Sequence, residues 1–336
     1  MSGQRCGRFL RKVRIAFIGA GSHANAVHYP SIASIPEAEI VAICDINSDR
    51  LHKTSDKYGV KNRYLDYKDM LEKEEIDAVY LIMPPHQLYD IAIDCLSSGH
   101  NLFIEKPPGV SLQQTRSLAW YASKEGCRTM VGFNRRFIPL MRLCKGLVEE
   151  RSAINQCVST FYKNIASEAP PYYRGAVDVL TSDVIHAVDT LRWMGGGEVR
   201  KVYGSVRKLF TDYDNSFNAL VCFEDGAIGF LMSNWMAGAR VHTFEMHGKG
   251  ISAFVNPNEK ALIYADNKPE PKIISTYEAA GGSRDFHVYY GFYQEDKHFI
   301  DCIIRDEEPE TCFKDAVKTM ELIDLIYKSA TQNEVN

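Results

Sequence analysis

The chain has no run of about 18 apolar residues, so no segment is long enough to cross a bilayer as a helix. It also lacks an excess of either charge. Its 39 Lys and Arg stand against 43 Asp and Glu, a formal net charge of −4. That balance excludes the basic footprint of a nucleic-acid partner or of an anionic membrane surface. Cysteine offers no framework either. The nine cysteines are odd in number, scattered, and never in C-x-x-C spacing. They read as reduced thiols of a cytoplasmic protein, with neither a disulfide scaffold nor a metal site. Residues 1–12 are basic but contain no uninterrupted apolar core or small-residue cleavage site, which predicts a loose lead-in and not a secretory leader. There is no internal repeat and no low-complexity tract. What remains is an ordinary globular composition, 45% hydrophobic and 24% charged over 336 residues, long enough for two cored domains.

The most informative stretch is VRIAFIGAGSHA, Val13 to Ala24. A nearly continuous apolar run, as in a strand buried on both faces, leads directly into a G-x-G-x-x-A turn. Gly19 permits the tight turn, Gly21 lets a pyrophosphate approach the backbone, and small Ala24 lets the next helix pack closely. Ser22 and His23 complete the turn, whose free N–H groups suit phosphate. A second apolar run, Ile40 to Cys44, ends in Asp45, about 21 positions after Ala24. A dinucleotide fold carries its ribose-binding acid at about that distance.

Strand-like runs continue at Ile76–Met83, Asn101–Glu105 and Arg128–Phe133, separated by helical stretches that close at Gly59, Gly99 and Gly126. Alternation at this spacing predicts a doubly wound parallel sheet, an α/β Rossmann domain over residues 1–133. Residues 134–336 read differently. Consecutive strands from Val199 to about Ile274, with a hairpin turn at Glu224-Asp225-Gly226, predict an α+β domain with a large open antiparallel sheet. Two helices, around Glu295–Arg305 and Phe313–Ser329, close the chain.

Ligands of such sheets bind outside the carboxyl ends of the strands. Three motifs fall there: the glycine turn, Met83-Pro84-Pro85-His86, and Glu105-Lys106-Pro107. An ammonium at Lys106 can stabilise the partial charge on an oxygen passing between alcohol and ketone, and can help move its proton. The plain alternative is a surface lysine after a strand. Further on, Asp183, His186 and Asp189 share one face if the segment is helical, and His186 is the natural general base. A satisfied buried histidine, or a metal held by the same three groups, competes with that reading. Arg135 and Arg136 follow the sixth strand. Either could bind a substrate anion, or both could lock the domain junction. Tyr172, Tyr173 and Arg174 precede the His186 helix and could line a substrate pocket. His242 and His247 are spaced for opposite faces and read as structural.

The glycine turn, "IDAVYLIMPP", "GHNLFIEKPPGVSL", "MVGFNRRF", "SDVIHAVDTLRWMGG" and "DKHFIDCI" occur in one order along nearly the whole chain. Together they resemble the glucose-fructose oxidoreductase / inositol dehydrogenase / MocA family. The resemblance implies NAD(P)-dependent hydride transfer at a secondary hydroxyl or ketone of a sugar, cyclitol or nucleotide sugar. It implies that Lys106 is catalytic with a cis bond to Pro107, and that His186 is an acid/base or substrate ligand; Asp183, beside it in sequence, is read as the acid that orients His186. The cofactor would lie against Gly19, Gly21, Ser22, His23, Ala24, Asp45, Pro84, His86, Glu105 and Lys106, and the substrate against Arg135, Tyr173 and His186. It further implies a homodimer or homotetramer built through the second sheet. The chain departs from the family at two places. Ser182 stands where the family's acid precedes the histidine by four residues, with Asp183 one later, and Leu88 replaces a histidine after the Pro84 motif.

Asp45 accepts hydrogen bonds from both ribose hydroxyls and repels a 2′-phosphate, by about 1 kcal/mol in water and about 4 at an effective dielectric of 20. That favours NAD, while Arg50 and Ser48 leave NADP open. Two rivals remain: a glycosidase of the same fold that recycles its NAD, and a dinucleotide-binding sensor or scaffold without catalysis.

Overall fold

A computed structural model of the chain describes residues 11–165 and 170–334, so nearly all of the expected lead-in lies outside the described residues. The first sheet has strands β1 (Val13–Ile18), β2 (Ala38–Cys44), β3 (Asn62–Tyr64), β4 (Ala78–Leu81), β5 (Asn101–Glu105) and β6 (Thr129–Gly132). All are parallel, in the order β3-β2-β1-β4-β5-β6. Burial explains their composition: β4 is wholly buried and β1 nearly so, because helices cover both faces. Side-chain caps fix where those helices start. Asn47 accepts the Arg50 N–H, and Asp66 accepts the Lys68 N–H. The expected ends hold as well, with Gly59 and Gly126 both in the left-handed region at φ 69°. The strand order reverses between β1 and β4, which opens a crevice at their carboxyl ends.

The second sheet runs through β7 (Gln156–Asn164), β8 (Val199–Arg207), β9 (Ser216–Phe223), β10 (Ile228–Asn234), β11 (Met236–Gly248), β12 (Ile251–Asn256), β13 (Lys260–Ala265) and β14 (Lys272–Ser275). Its order is β14-β13-β12-β11-β7-β10-β9-β8. One feature corrects the antiparallel expectation: β7 and β10 pair in parallel, so the sheet is mixed. Turn signals could not show this. The two strands are separated in sequence by the helix Ile185–Gly195 and the β8–β9 pair, so no tight turn constrains their direction.

Helices cover one face of this sheet, and strand register assigns the faces. Phe161 and Lys163 of β7 point to the helix side, as does His242, which pairs opposite Phe161. The other face presents Tyr203, Val241, Phe254 and Ile273, all exposed.

The packing also departs from a clean division after residue 133. The helix Phe292–Arg305 returns to the first domain, where Phe299 and Ile300 join one core with Ile15, Phe17, Tyr80 and Phe103. Just beyond it, Thr311 caps the edge of β6: its carbonyl accepts the Val131 N–H at 2.9 Å and its hydroxyl donates to the Val131 carbonyl at 2.8 Å. Long-range return of this kind leaves no mark in local sequence. Among the described residues, no helix is long and apolar enough to cross a membrane.

Candidate active site

Two adjoining clefts lie at the carboxyl edge of the first sheet. Gly19 turns the chain at φ 114°, and a Cβ there would stand 2.1 Å from the Ile82 carbonyl oxygen, so only glycine fits. Gly21, by contrast, has no heavy atom within 4 Å of a Cβ position and faces open space. Asp45, buried at the end of β2, ties the turn to the neighbouring strand. One oxygen accepts the Ala20 N–H at 2.8 Å, and the other accepts the Asn47 N–H at 2.8 Å and Arg50 at 3.0 Å. Beside it, exposed Ile46 and Leu65 form apolar walls of a cavity of about 280 Å³. The second cavity, about 380 Å³, is bounded by the glycine turn, Pro84, Glu105, Lys106 and Tyr173.

Lys106 follows β5 and its bond to Pro107 is cis, as the resemblance implied. Its Nζ donates to the Ser182 carbonyl at 3.1 Å and lies 3.7 Å from Asp183 Oδ1. Asp183 also accepts from Lys163 and, at 2.8 Å, from the Tyr172 hydroxyl. Burial opposes its charge, but Lys106 and Lys163 outweigh burial and hold this carboxyl well below the usual range. The departure at Ser182 has a structural answer. Residues Leu180–Val184 form a π-helical turn, whose wider loop shifts the register by one residue. Asp183 therefore reaches Lys106, while Ser182 offers its backbone oxygen.

His186 lies one turn further, at the start of Ile185–Gly195, 4% exposed. Its Nδ1 has no partner among the described residues. Burial, then Arg135 and Lys106, push its pKa well below the ordinary value, so the ring is neutral. The expected orienting bond from Asp183 is not formed, because Lys163, Tyr172 and Lys106 occupy that carboxylate. Asp189, expected on the same face, serves elsewhere. It accepts from Arg136 Nε at 2.8 Å and from Thr319 at 2.8 Å, inside a buried junction completed by Arg192 and Asp315.

The paired arginines thus divide their work. Arg136 holds the junction. Arg135, 6% exposed, lies 5.0 Å over the Tyr290 ring with its Nε unpartnered, and its charge acts on both His186 and His242. Sequence reasoning set His242 aside and missed Lys163. His242 is buried, stacked 4.3 Å from Phe161, with neither ring nitrogen partnered among the described residues. A period-two reading of β7 would have put Lys163 on the buried face with Phe161. No local signal placed His242, whose partner strand lies far upstream.

Glu105 organises the wall behind Lys106. Its Oε1 accepts from His23 at 2.8 Å and from His28 at 3.1 Å, and its Oε2 accepts the Lys106 N–H at 3.0 Å. The other His28 nitrogen lies 3.0 Å from Asp296 of the returning helix. Burial opposes the charge of His28, yet Asp296 and Glu105 outweigh it and raise its pKa, leaving an imidazolium between two carboxylates. His23, His28 and Glu105, and likewise His28, Glu295 and Asp296, are close enough to hold a cation. An imidazolium has no lone pair for a metal. Tyr173, in the left-handed region at φ 48°, places its ring 5.4 Å from exposed His86 at the cavity mouth.

Residues 13–133 match the family described as "Oxidoreductase family, NAD-binding Rossmann fold", and residues 162–253 match the "GFO/IDH/MocA C-terminal domain". The chain belongs to the Gfo/Idh/MocA oxidoreductase family. It is 26% identical over 319 residues to the myo-inositol 2-dehydrogenase of Thermotoga maritima, covering 90% of this chain and 92% of the relative. It is 24% identical to the scyllo-inositol 2-dehydrogenase (NAD(+)) of Bacillus subtilis, covering 93% and 92%. In fold it matches a levoglucosan dehydrogenase solved in complex with NADH, with a TM-score of 0.84 at 19% identity over 96% of this chain and 98% of the other. Like others of the Gfo/Idh/MocA family, the protein is an oxidoreductase with an NAD-binding Rossmann domain.

Proposed function

We propose that the protein transfers hydride between NAD and a secondary hydroxyl or ketone of a sugar, cyclitol or nucleotide sugar. The observation that carries this reading is the ammonium of Lys106, fixed by Ser182 and Asp183 in a cavity continuous with the glycine turn. Similarity to two inositol dehydrogenases over nine-tenths of the chain supports the substrate class.

The residues fit NAD. The open backbone at Gly21, with Gly19, Ser22, His23 and Ala24, would receive the diphosphate, and Asp45 the ribose hydroxyls. Pro84 and Glu105, which line the second cavity, and His86, whose ring lies against Tyr173, would border the nicotinamide end. Bound NAD supplies the hydride acceptor or donor. Lys106 donates a hydrogen bond to the reacting oxygen and stabilises the charge that develops on it. Neutral His186 accepts or returns the proton. Asp183 positions Lys106 and not His186. Arg135 and Tyr173 bind the rest of the substrate.

We extend the reading to assembly. Tyr203, Val241, Phe254 and Ile273 make an apolar face that suits a second copy of the sheet, giving a homodimer or homotetramer. Sedimentation of the pure protein as a monomer would refute it. The eight cysteines described are all free thiols, which agrees with a reducing cytoplasm.

The test is absorbance at about 340 nm of protein, NAD and a panel of sugars, cyclitols and nucleotide sugars. Substrate-dependent formation of NADH is expected. Release of a leaving group from a glycoside without NADH would replace this reading with the NAD-recycling glycosidase. NAD binding without either reaction would favour the sensor.

A further inference from the structure

Behind Lys106, which lines the second cavity, the buried interior holds more positive charge than negative. Lys106 and Lys163 share a single carboxylate, Asp183. Arg135 adds a third cation, almost fully buried. Its guanidinium donates to the neutral Asn134 side chain, and its Nε has no partner among the described residues. The nearby acids do not offset it. Glu295 is wholly buried with both carboxyl oxygens unpartnered among the described residues, and burial raises its pKa and so disfavours its charged form. Glu105 and Asp296 are engaged by His23 and His28.

Polar atoms without partners lie in the same region, and each neutral imidazole there offers one N–H. His186 Nδ1, both nitrogens of His242 and the indole N–H of Trp235 are all more than nine-tenths buried and unpartnered among the described residues. Trp235 stands between Lys163, 4.7 Å from its ring, and Tyr172, 5.5 Å from it. His186 and His242 both lie within the field of Arg135 and Lys163. An unbalanced charge in a water-poor site is costly unless a counter-ion meets it. A carboxylate is planar, anionic and acceptor-only, so it matches a guanidinium flanked by N–H donors. A neutral sugar could satisfy the donors but would leave the charge unbalanced.

We propose that the substrate is a sugar acid, a polyhydroxylated carboxylate such as a uronate or aldonate, whose carboxylate is received by Arg135 beside His242. This rests on the hydride-transfer reading and narrows its substrate class. Lys106 then acts on a hydroxyl of the same molecule, and the carboxylate takes no part in the chemistry.

The test compares matched pairs on the NADH-loaded protein: D-glucuronate with D-glucose, D-galacturonate with D-galactose, and D-gluconate with D-glucitol. Binding is read by NADH fluorescence. At least one acid should bind about tenfold or more tighter than its neutral counterpart, as a charge-assisted pair implies. Arg135→Met should remove that preference, while Arg135→Lys should restore part of it. Retained NADH binding shows that each variant is folded, and Lys163→Met, which lowers the same positive field, is the second variant. Neutral members binding as tightly in every pair, or an acid preference untouched in both Met variants, would overturn the proposal. NADH formation separates the two readings. Neutral sugars turned over as well as acids would sink the acid class and leave hydride transfer standing. Acid-selective binding with no NADH from any compound would sink hydride transfer and leave the anion site.

Discussion

The Nζ of Lys106 lies 3.7 Å from Oδ1 of Asp183, and the same ammonium donates to the carbonyl of Ser182. Lys106 is thereby aimed by two acceptors on one π-helical turn, and a third acceptor, the substrate oxygen, completes its hydrogen bonding. Lys106→Met should lower kcat by about 10²–10⁴, the usual worth of a proton-transferring group. NAD affinity, read by calorimetry, should change by less than about twofold, because the diphosphate and ribose contacts lie elsewhere. Asp183→Asn should cost less, since the carbonyl of Ser182 still holds the ammonium. A Lys106→Met enzyme with near-normal kcat would remove Lys106 from the mechanism.

Asp45 bears on cofactor choice through a shared charge. Its carboxylate anchors the Ala20 N–H and pairs with Arg50, which is itself half-exposed at the cleft. Asp45→Ser would remove the group that repels a 2′-phosphate and free Arg50 to meet one. The ratio of kcat/KM for NADP over NAD should rise by about tenfold or more, since even partly screened charges differ by more than 1 kcal/mol here. A ratio that stays put would move the ribose contact to another residue.

What the sequence made legible follows from how local each determinant is. The Gly19–Ala24 turn, Asp45 and Glu105-Lys106-Pro107 each follow a strand of the first sheet, so reading the strands located them. Asp183 was found but misassigned, because a helical wheel assumes α geometry and the chain takes a π turn at Leu180–Val184. His242 reaches the neighbourhood of His186 and Arg135 only because β11 pairs with β7, a strand far upstream in sequence. The same holds for Asp296, which reaches His28 across 268 positions when the closing helix returns to the first domain. Local periodicity carries no trace of either event.

The junction beneath the site rests on Asp189, 1% exposed, facing Arg136, 3% exposed. Arg192 and Asp315 extend it, and Thr319 donates a further hydrogen bond to Asp189. Asp189→Ala would strand a buried guanidinium with only the partly exposed Asp315 beside it. Loss of one partner of a buried pair costs about 3–5 kcal/mol, so urea unfolding should show a drop of that order. A loss below about 1 kcal/mol would mean that Asp315 alone can carry Arg136.

His242 gives the protein a pH dependence that can be isolated by difference. Burial first, then Arg135, hold its pKa well below the ordinary value, with Arg240 and Lys163 adding to the effect and Asp183 opposing it. Its unfolded value is about 6.5. Well above that pH neither state binds the proton, and the histidine adds no slope. Below it the unfolded chain takes up a proton that the folded protein refuses. Stability is therefore lost as pH falls from about 6.5 toward the depressed folded value, at about 1.4 kcal/mol per pH unit. His242→Phe keeps a ring against Phe161 and removes the titration. Relative to the wild type, the variant should gain about 1 kcal/mol between pH 6.5 and 5.5, and only about 0.4 kcal/mol between 7.5 and 6.5, in urea unfolding at each pH. Taking the difference cancels the other titrating groups, His28 and Glu295 among them, whose shifts run the other way. Curves that stay parallel from pH 7.5 to 5.5 would show that His242 accepts a proton in the folded state. That outcome would require a negative group closer to its ring than Asp183.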